Sequence, residues 1–488
     1  MKEKEFFTSR WGLILATLGI AIGTGNIWRF SRVVAQNGGG SFLIPWVVFL
    51  FFWSIPLIIT EFAIGKSTRY GPIGAISKTA GKQYAWMGAF IVVVSTAIMF
   101  YYSVVTGWCI KYFISAVSGD LLTAVNPLDY WEQFSTGFSP MYFHLIAILI
   151  AGVVVYRGIV KGIEKVNKVL VSSLMLILLI LFIRAVTLPN ALEGIKYFFT
   201  PKAEFVFNYK VWLNALTQNA WDTGAGWGLI LTYAIYMRKY DDVPLNSALI
   251  GFGNNSVSLL AGIIIFSTVF ALSDIDAMTQ ISQSGPANTG LTFIYLPLLF
   301  SQMSQSFILN SLFAALFFLA LSFAAMSSLI SLVELTTRTF IDFGLTRKKA
   351  IIIVGILAFI FGTPSALNLN IFTNQDWVWG VGLIVSGGFI AFAVNKYGAE
   401  KFRVEIINSQ SSDIKIGKWY TFIIKYLIPM QVIILLGWWL ISSATWDPEW
   451  WNPLHAENAG TCLVQWALVI GVLFYLNKFL VNKTLQNK

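Results

Sequence analysis

The chain has 488 residues, 57% hydrophobic and only 11% charged, a composition that leaves a soluble globule too little polar surface to cover its core. Its net charge of +10 does not mark a nucleic-acid binder, because the basic residues recur in alternating segments rather than in one patch. The two cysteines, Cys109 and Cys462, both fall in apolar runs and form neither a disulfide framework nor a metal cluster.

The opening "MKEKEFFTSRWG" is polar and enters the first apolar run without a small-residue cleavage site, so no removable signal peptide is expected. About twelve runs of bilayer length follow, near 11–35, 41–64, 85–115, 141–157, 167–186, 211–238, 246–272, 308–340, 350–365, 377–395, 419–443 and 461–480. Residues 1–488 therefore read as one integral unit rather than the three soluble domains that length alone suggests.

Segments 116–140, 273–307, 366–376 and 446–460 lack Lys and Arg. The alternate segments carry Lys66, Arg69, Lys78 and Lys82, then Arg157, Lys161, Lys165 and Lys168, then Arg347, Lys348 and Lys349. The positive-inside rule then places both termini in the cytoplasm of a multi-pass protein of the cell (inner or plasma) membrane. Segment 187–210 departs from the pattern with Lys196, Lys202 and Lys210, partly offset by Glu193 and Glu204.

Two runs are interrupted mid-span: "LGIAIGTGN" at 18–26 and "NAWDTGAGWG" at 219–228. The second contains Asp222, and a carboxylate at that depth costs about 2.5–3.5 kcal/mol on insertion scales. Backbone in hydrocarbon must be hydrogen-bonded internally unless it lines a cavity. Paired Gly-rich interruptions in spans 1 and 6 thus point to a substrate site at the junction of two inverted repeats. The repeats are expected over 11–186 and 211–395, with spans 11 and 12 (419–480) added. The fold expected is all-α.

At "WGLILATLGIAIGTGNIWRF…NGGGSFLIPW" the chain closely resembles the neurotransmitter:sodium symporter family, including its bacterial amino-acid transporters. The likeness runs from about residue 8 to at least 440 and includes "YRGIVKGIEK", "TYAIYMRK" and "GLTRKKA". It implies Na⁺ as the coupling ion, at two sites. Sodium site one matches Ala21, Asn26, Asp222 and Asn254; site two matches Gly19, Ile22, Ala324, Ser327 and Ser328. Hydroxyls and carbonyls suit a hard monovalent cation, although a serine pair in a membrane helix also bonds back to its own carbonyls.

Many relatives have Ser or Thr at position 222. Where family members need chloride, the anion lies at positions that are Gln218, Asp222, Ser258 and Trp46 here. Chloride-independent bacterial relatives instead place a glutamate at position 258. This chain has Ser258 and carries its acid at Asp222, so the expectation is that Asp222 supplies the charge and chloride is not required. At about 4 Å from Na⁺ a carboxylate gains several kcal/mol at intermediate dielectric, enough to offset its burial.

The resemblance places substrate among Ile20, Ala21, Thr24, Gly25, Ile98, Tyr102, Trp221, Asp222, Gly224, Trp227, Ser328 and Leu332. Tyr102 matches the tyrosine that holds a substrate carboxylate, whereas the aspartate of monoamine carriers is Gly23 here. A small amino acid is therefore expected; an amine held by Asp222, or a transport-dead sensor on the same fold, remains open. Arg29 and Asp376 match an outer gate, and Lys4 and Asp342 an inner latch. Glu61 is expected to support a helix end.

Alternating access is implied, with spans 1, 2, 6 and 7 rocking against 3, 4, 8 and 9. An enzyme is not expected, since the histidines, His144 and His455, lack a matching nucleophile. The partners expected are a small molecule and the lipid bilayer, without nucleic acid; both monomer and homodimer fit.

Overall fold

The computed structural model describes residues 5–124, 126–272, 277–282, 289–408 and 413–485. Among these residues there is no β-strand. Nine helices are long and apolar enough to cross a bilayer, or up to eleven if two bent pairs each count as one span. One bent pair is span 1, Arg10–Ala21 and Gly25–Gln36, with a 54° bend. The other, Ala459–Tyr475 and Asn477–Leu485 at 59°, is a bend that the apolar run 461–480 did not signal.

Span 1 starts where the Ser9 hydroxyl accepts the Gly12 N–H at 2.9 Å, satisfying one of the donors left over at a helix N-terminus. It stops at Ile22, whose backbone is extended. Span 6 begins under the Asn208 side chain, which accepts the Lys210 N–H at 3.0 Å. It is helical over Tyr209–Asp222 and again over Leu229–Ala234. Between them Gly224, Gly226 and Gly228 have φ of +69°, +90° and +76°, the left-handed region that costs glycine nothing. Glu61 holds this crossing, its carboxylate accepting the Gly226 N–H at 2.5 Å and the Leu231 N–H at 3.1 Å.

Spans 3 (Ala85–Ser118) and 8 (Phe307–Asp342) pack together as the central pair. In span 8, 83% of the most apolar window is buried, against 22% for Trp419–Trp446, so span 8 belongs to the core and span 11 to the lipid-facing rim. Two expected connections differ. Segment 366–376 is almost entirely helix, because Arg347–Leu367 and Leu369–Tyr397 meet at Asn368, whose side chain caps Asn370 and Ile371. Segment 187–210 contains the helices Ala191–Phe199 and Ala203–Val206.

Candidate functional site

Both interruptions line one cavity of about 450 Å³. It reaches past Arg29 and Asp376 to Trp446 and Glu457 on the surface. All the expected substrate-contact residues line it except Ile98. That turn of span 3 is committed to packing: the Ser95 hydroxyl donates to the Trp227 carbonyl at 2.6 Å, and Thr96 meets Thr336 at 2.9 Å. Ile98 is fully buried as a result.

At the start of the second half of span 1, the Tyr102 hydroxyl accepts the Thr24 N–H at 3.3 Å and lies 3.2 Å from the Thr24 hydroxyl. A Cβ on Gly23 would lie 3.0 Å from Ser328 Oγ and 3.1 Å from Tyr102 Oη, so a side chain at position 23 must displace both. The wall beyond is apolar. Trp227 folds back to donate from its indole to the Ala220 carbonyl at 3.0 Å and meets Trp221 edge-on at 5.9 Å.

Four side chains order the next layer. Asn26 Oδ1 accepts the Gly23 N–H at 2.8 Å, and Asn26 Nδ2 donates to Asn254 Oδ1 and Ser258 Oγ, each at 2.8 Å. Asn254 Nδ2 in turn donates to Asn255 at 3.2 Å. This chain of donors leaves Asn254 Oδ1 only 2.9 Å from the carbonyl oxygens of both Ala21 and Asp222. Turning the Asn254 amide would relieve that crowding, but would set two NH₂ groups face to face at 2.8 Å. Three converging oxygens without a proton between them form a donor set that a hard cation fits.

The Asp222 carboxylate adjoins this cluster and is buried. Its Oδ2 accepts from Gln218 Nε2 at 3.2 Å, while Oδ1 has no hydrogen-bond partner among the described residues. The buried Trp46 indole N–H faces the same carboxylate without closing a hydrogen bond. Gln218, Ser258 and Trp46 thus gather around Asp222 and Asn26.

Ser328 Oγ lies 3.4 Å from the carbonyls of Gly19 and Ile20, and Ser327 donates to the Ala324 carbonyl at 2.9 Å. Span 8 hydroxyls therefore meet span 1 at Gly19, and Ile22 is where that helix ends.

Of the gate residues, Arg29 and Asp376 both line the cavity. No ion pair joins them among the described residues; the Arg29 guanidinium instead lies over the Trp221 ring at 4.7 Å. Lys4 lies outside the described residues. Asp342 accepts from Arg338 at 2.9 Å and from the Gly71 N–H at 2.7 Å.

Sequence reasoning missed Arg32, Tyr101, Phe372, Trp377, Trp439 and Glu457 in the cavity wall. Arg32 could have been found, lying three residues beyond Arg29 on the same helix face. Trp439 arrives from span 11 and Glu457 from the connection between spans 11 and 12, with no local signal.

Taken together, these features define a helical membrane protein with a central cavity lined by two interrupted helices. The profile of the sodium:neurotransmitter symporter family matches residues 4–133 and 135–483, and the chain belongs to that family. Its members are secondary transporters, not enzymes, and this protein is a sodium-dependent transporter.

An uncharacterized sodium-dependent transporter of Methanocaldococcus jannaschii is 34% identical, covering 88% of this chain and 89% of the relative. The sodium-dependent serotonin transporter of Drosophila melanogaster is 28% identical, over 99% of this chain and 83% of its own. Among solved structures, MhsT in complex with L-phenylalanine matches at a TM-score of 0.76 and 29% identity, covering 88% of this chain and 98% of MhsT.

Proposed function

We propose that this protein imports a neutral α-amino acid together with Na⁺ by alternating access, Asp222 supplying the negative charge that chloride supplies in some relatives. The observation that carries the reading is the convergence of the Ala21 and Asp222 carbonyls on Asn254 Oδ1 at 2.9 Å, beside a buried carboxylate oxygen without a partner. An unpaired buried carboxylate oxygen is costly. A sodium ion in the oxygen cluster compensates it, with about 4 kcal/mol of attraction at 4 Å and an effective dielectric of 20.

The same geometry favours an amino acid over an amine. The groups facing Gly23 are the Tyr102 hydroxyl and the start of a half-helix, a positive dipole end that suits a substrate carboxylate. Site two, around Gly19, Ile22, Ala324, Ser327 and Ser328, holds the second ion in this reading. The cavity and its aromatic wall extend the expectation from a small side chain to a large apolar one, in keeping with the L-phenylalanine bound to MhsT. The units 11–186 and 211–395 act as the two repeats, and the cavity opens to the outside.

The test is thermal stabilisation of purified protein by each amino acid and by common amines, in NaCl and in KCl. Ligand binding to the folded state raises apparent stability by mass action, about 2.7 kcal/mol at a hundredfold excess over Kd. An amino acid that stabilises only in NaCl is the expected result. Stabilisation by amines alone would move Asp222 to the substrate site, and no NaCl-dependent response would overturn the reading. Asp222→Asn should abolish sodium-driven uptake in chloride-free buffer and regain part of it with chloride; unchanged chloride-free uptake would remove Asp222 from the role.

A further inference from the structure

Span 5 (Lys165–Val186) carries Asn167 at its third position. The side chain is fully buried, and neither its oxygen nor its nitrogen has a hydrogen-bond partner among the described residues. A buried amide without protein partners leaves its oxygen and nitrogen for a non-protein partner to satisfy. Buried polar groups in folded proteins are otherwise almost all paired, so each exception calls for a reason.

Its position supplies one. A Cβ on Gly19 would meet Asn167 Oδ1 at 3.1 Å and Ser327 Cβ at 3.2 Å, so the amide oxygen and Ser327 flank the same glycine of site two. The Asn167 amide also faces the Tyr233 hydroxyl. That hydroxyl pairs with Ser331 Oγ at 2.9 Å, and Ser331 Oγ donates to the Ser327 carbonyl at 3.1 Å. Oxygens of Ser327, Ser331, Tyr233 and Asn167 thus form a file leading away from site two. Phe7 closes its far end, its ring 6.1 Å from that of Tyr233. Phe7 is buried and bonds through its N–H to the Tyr236 carbonyl at 3.1 Å, while Glu164 holds the next residue by accepting the Thr8 N–H at 2.9 Å.

We propose that Asn167 is a transit ligand for the site-two cation. When the Phe7 segment withdraws, the ion leaves the Ser327 and Ser328 hydroxyls for Asn167 Oδ1 and Tyr233 Oη on its way to the cytoplasm. The inference rests on the sodium-symport reading above. A neutral amide oxygen suits such a relay because it replaces part of the ion's hydration shell, yet lacks the charge that would trap the ion.

The experiment compares wild type with Asn167→Leu, similar in volume but without a dipole. Three readouts, one of binding and two of transport, are taken with the amino acid that stabilises wild type in NaCl. The midpoint NaCl concentration for thermal stabilisation reads equilibrium binding. In proteoliposomes, net uptake down a sodium gradient requires the ion to be released inside, whereas substrate exchange at equal high sodium on both sides does not.

The expected result is a midpoint and an exchange rate each within about twofold of wild type, with net uptake reduced about tenfold, the scale of one lost charge-assisted contact. Unchanged net uptake would overturn the proposal. So would a midpoint that rises in step with the loss of uptake, since Asn167 would then be a static support of site two. Should the leucine variant not fold, Asn167→Ser keeps a shorter oxygen and should lose about threefold in net uptake at an unchanged midpoint, unchanged uptake again being the overturning result. A wild type without a sodium-dependent midpoint would remove the ion reading itself, before any variant is compared.

Discussion

The two ends of the central cavity are built from similar residues in opposite states. Toward Glu457, Arg29 and Asp376 stand in the cavity wall without an ion pair between them, and Arg29 rests on Trp221. Toward the basic face, charges are tied, both across helices and within span 8. Glu334 pairs with Arg347 at 2.7 Å and accepts from the Tyr236 hydroxyl at 2.6 Å. Asp342 holds Arg338, and the Arg69 guanidinium donates to the Ile235 carbonyl at 2.7 Å. The comparison teaches that the two ends carry similar charges and that this conformation pairs only one set of them. Under the proposed cycle it is the outward-facing state.

The largest effect should come from opening the closed end. Glu334→Gln leaves Arg347 without its buried partner, a change that typically costs about 3–5 kcal/mol. The expected outcome is a shift toward an inward-open form, read as faster thiol labelling of a Ser331→Cys reporter from the basic face. Background is low because both native cysteines are buried. Labelling no faster than in the reporter alone would show that this pair does not hold the inner path.

A smaller effect should follow from disabling the open end. Under the proposed cycle Arg29 and Asp376 pair only on closure, so in Asp376→Asn transport should fall about tenfold, equivalent to about 1.4 kcal/mol, while amino-acid stabilisation in NaCl changes much less. An equal loss in both would mean that Asp376 binds substrate directly.

The smallest sharpens the outer rim. His455 Nδ1 lies 2.9 Å from Asp447 Oδ2, and this partner raises the imidazole above its ordinary 6.5 while the imidazole lowers Asp447. The histidine's contribution is therefore fully present below about pH 6.5 and is lost as pH rises through the raised value. The aspartate's is present above the ordinary carboxylate range and is lost in acid. Amide exchange at Leu454 should be slower at pH 6 than expected from its pH 8 rate after correction for intrinsic chemistry, and His455→Ala should remove the difference.

Much of the site was legible before any fold was known. Glycines at 23, 25, 224, 226 and 228 mark where helix must stop, and Asp222 stands out because carboxylates are rare in such runs. Asn26 and Asn254 followed from the family likeness. The Glu334–Arg347 pair was not legible: both are ordinary charges near helix ends, and the Tyr236 hydroxyl that joins them lies 98 residues from Glu334. Nor did the sequence single out Glu164, which accepts from both the N–H and the hydroxyl of Thr8. Asn167 also went unnoticed, since one amide near the polar start of an apolar run looks solvated until three helices close over it.

By itself the sequence determined an all-helical membrane protein, because apolar runs of bilayer length leave the backbone no partner but itself. It also marked where two of those helices break: in span 6 because glycine alone enters the left-handed region freely, whereas span 1 breaks at the extended Ile22 with Gly23 and Gly25 outside that region. Only the tertiary structure decided that the Ala21 and Asp222 carbonyls meet at Asn254, that the charges at the basic face are paired and those toward Glu457 apart, and that Ile98 stays behind the wall. Those outcomes depend on which helix faces touch, and contacts between residues hundreds of positions apart leave no period or spacing in the chain.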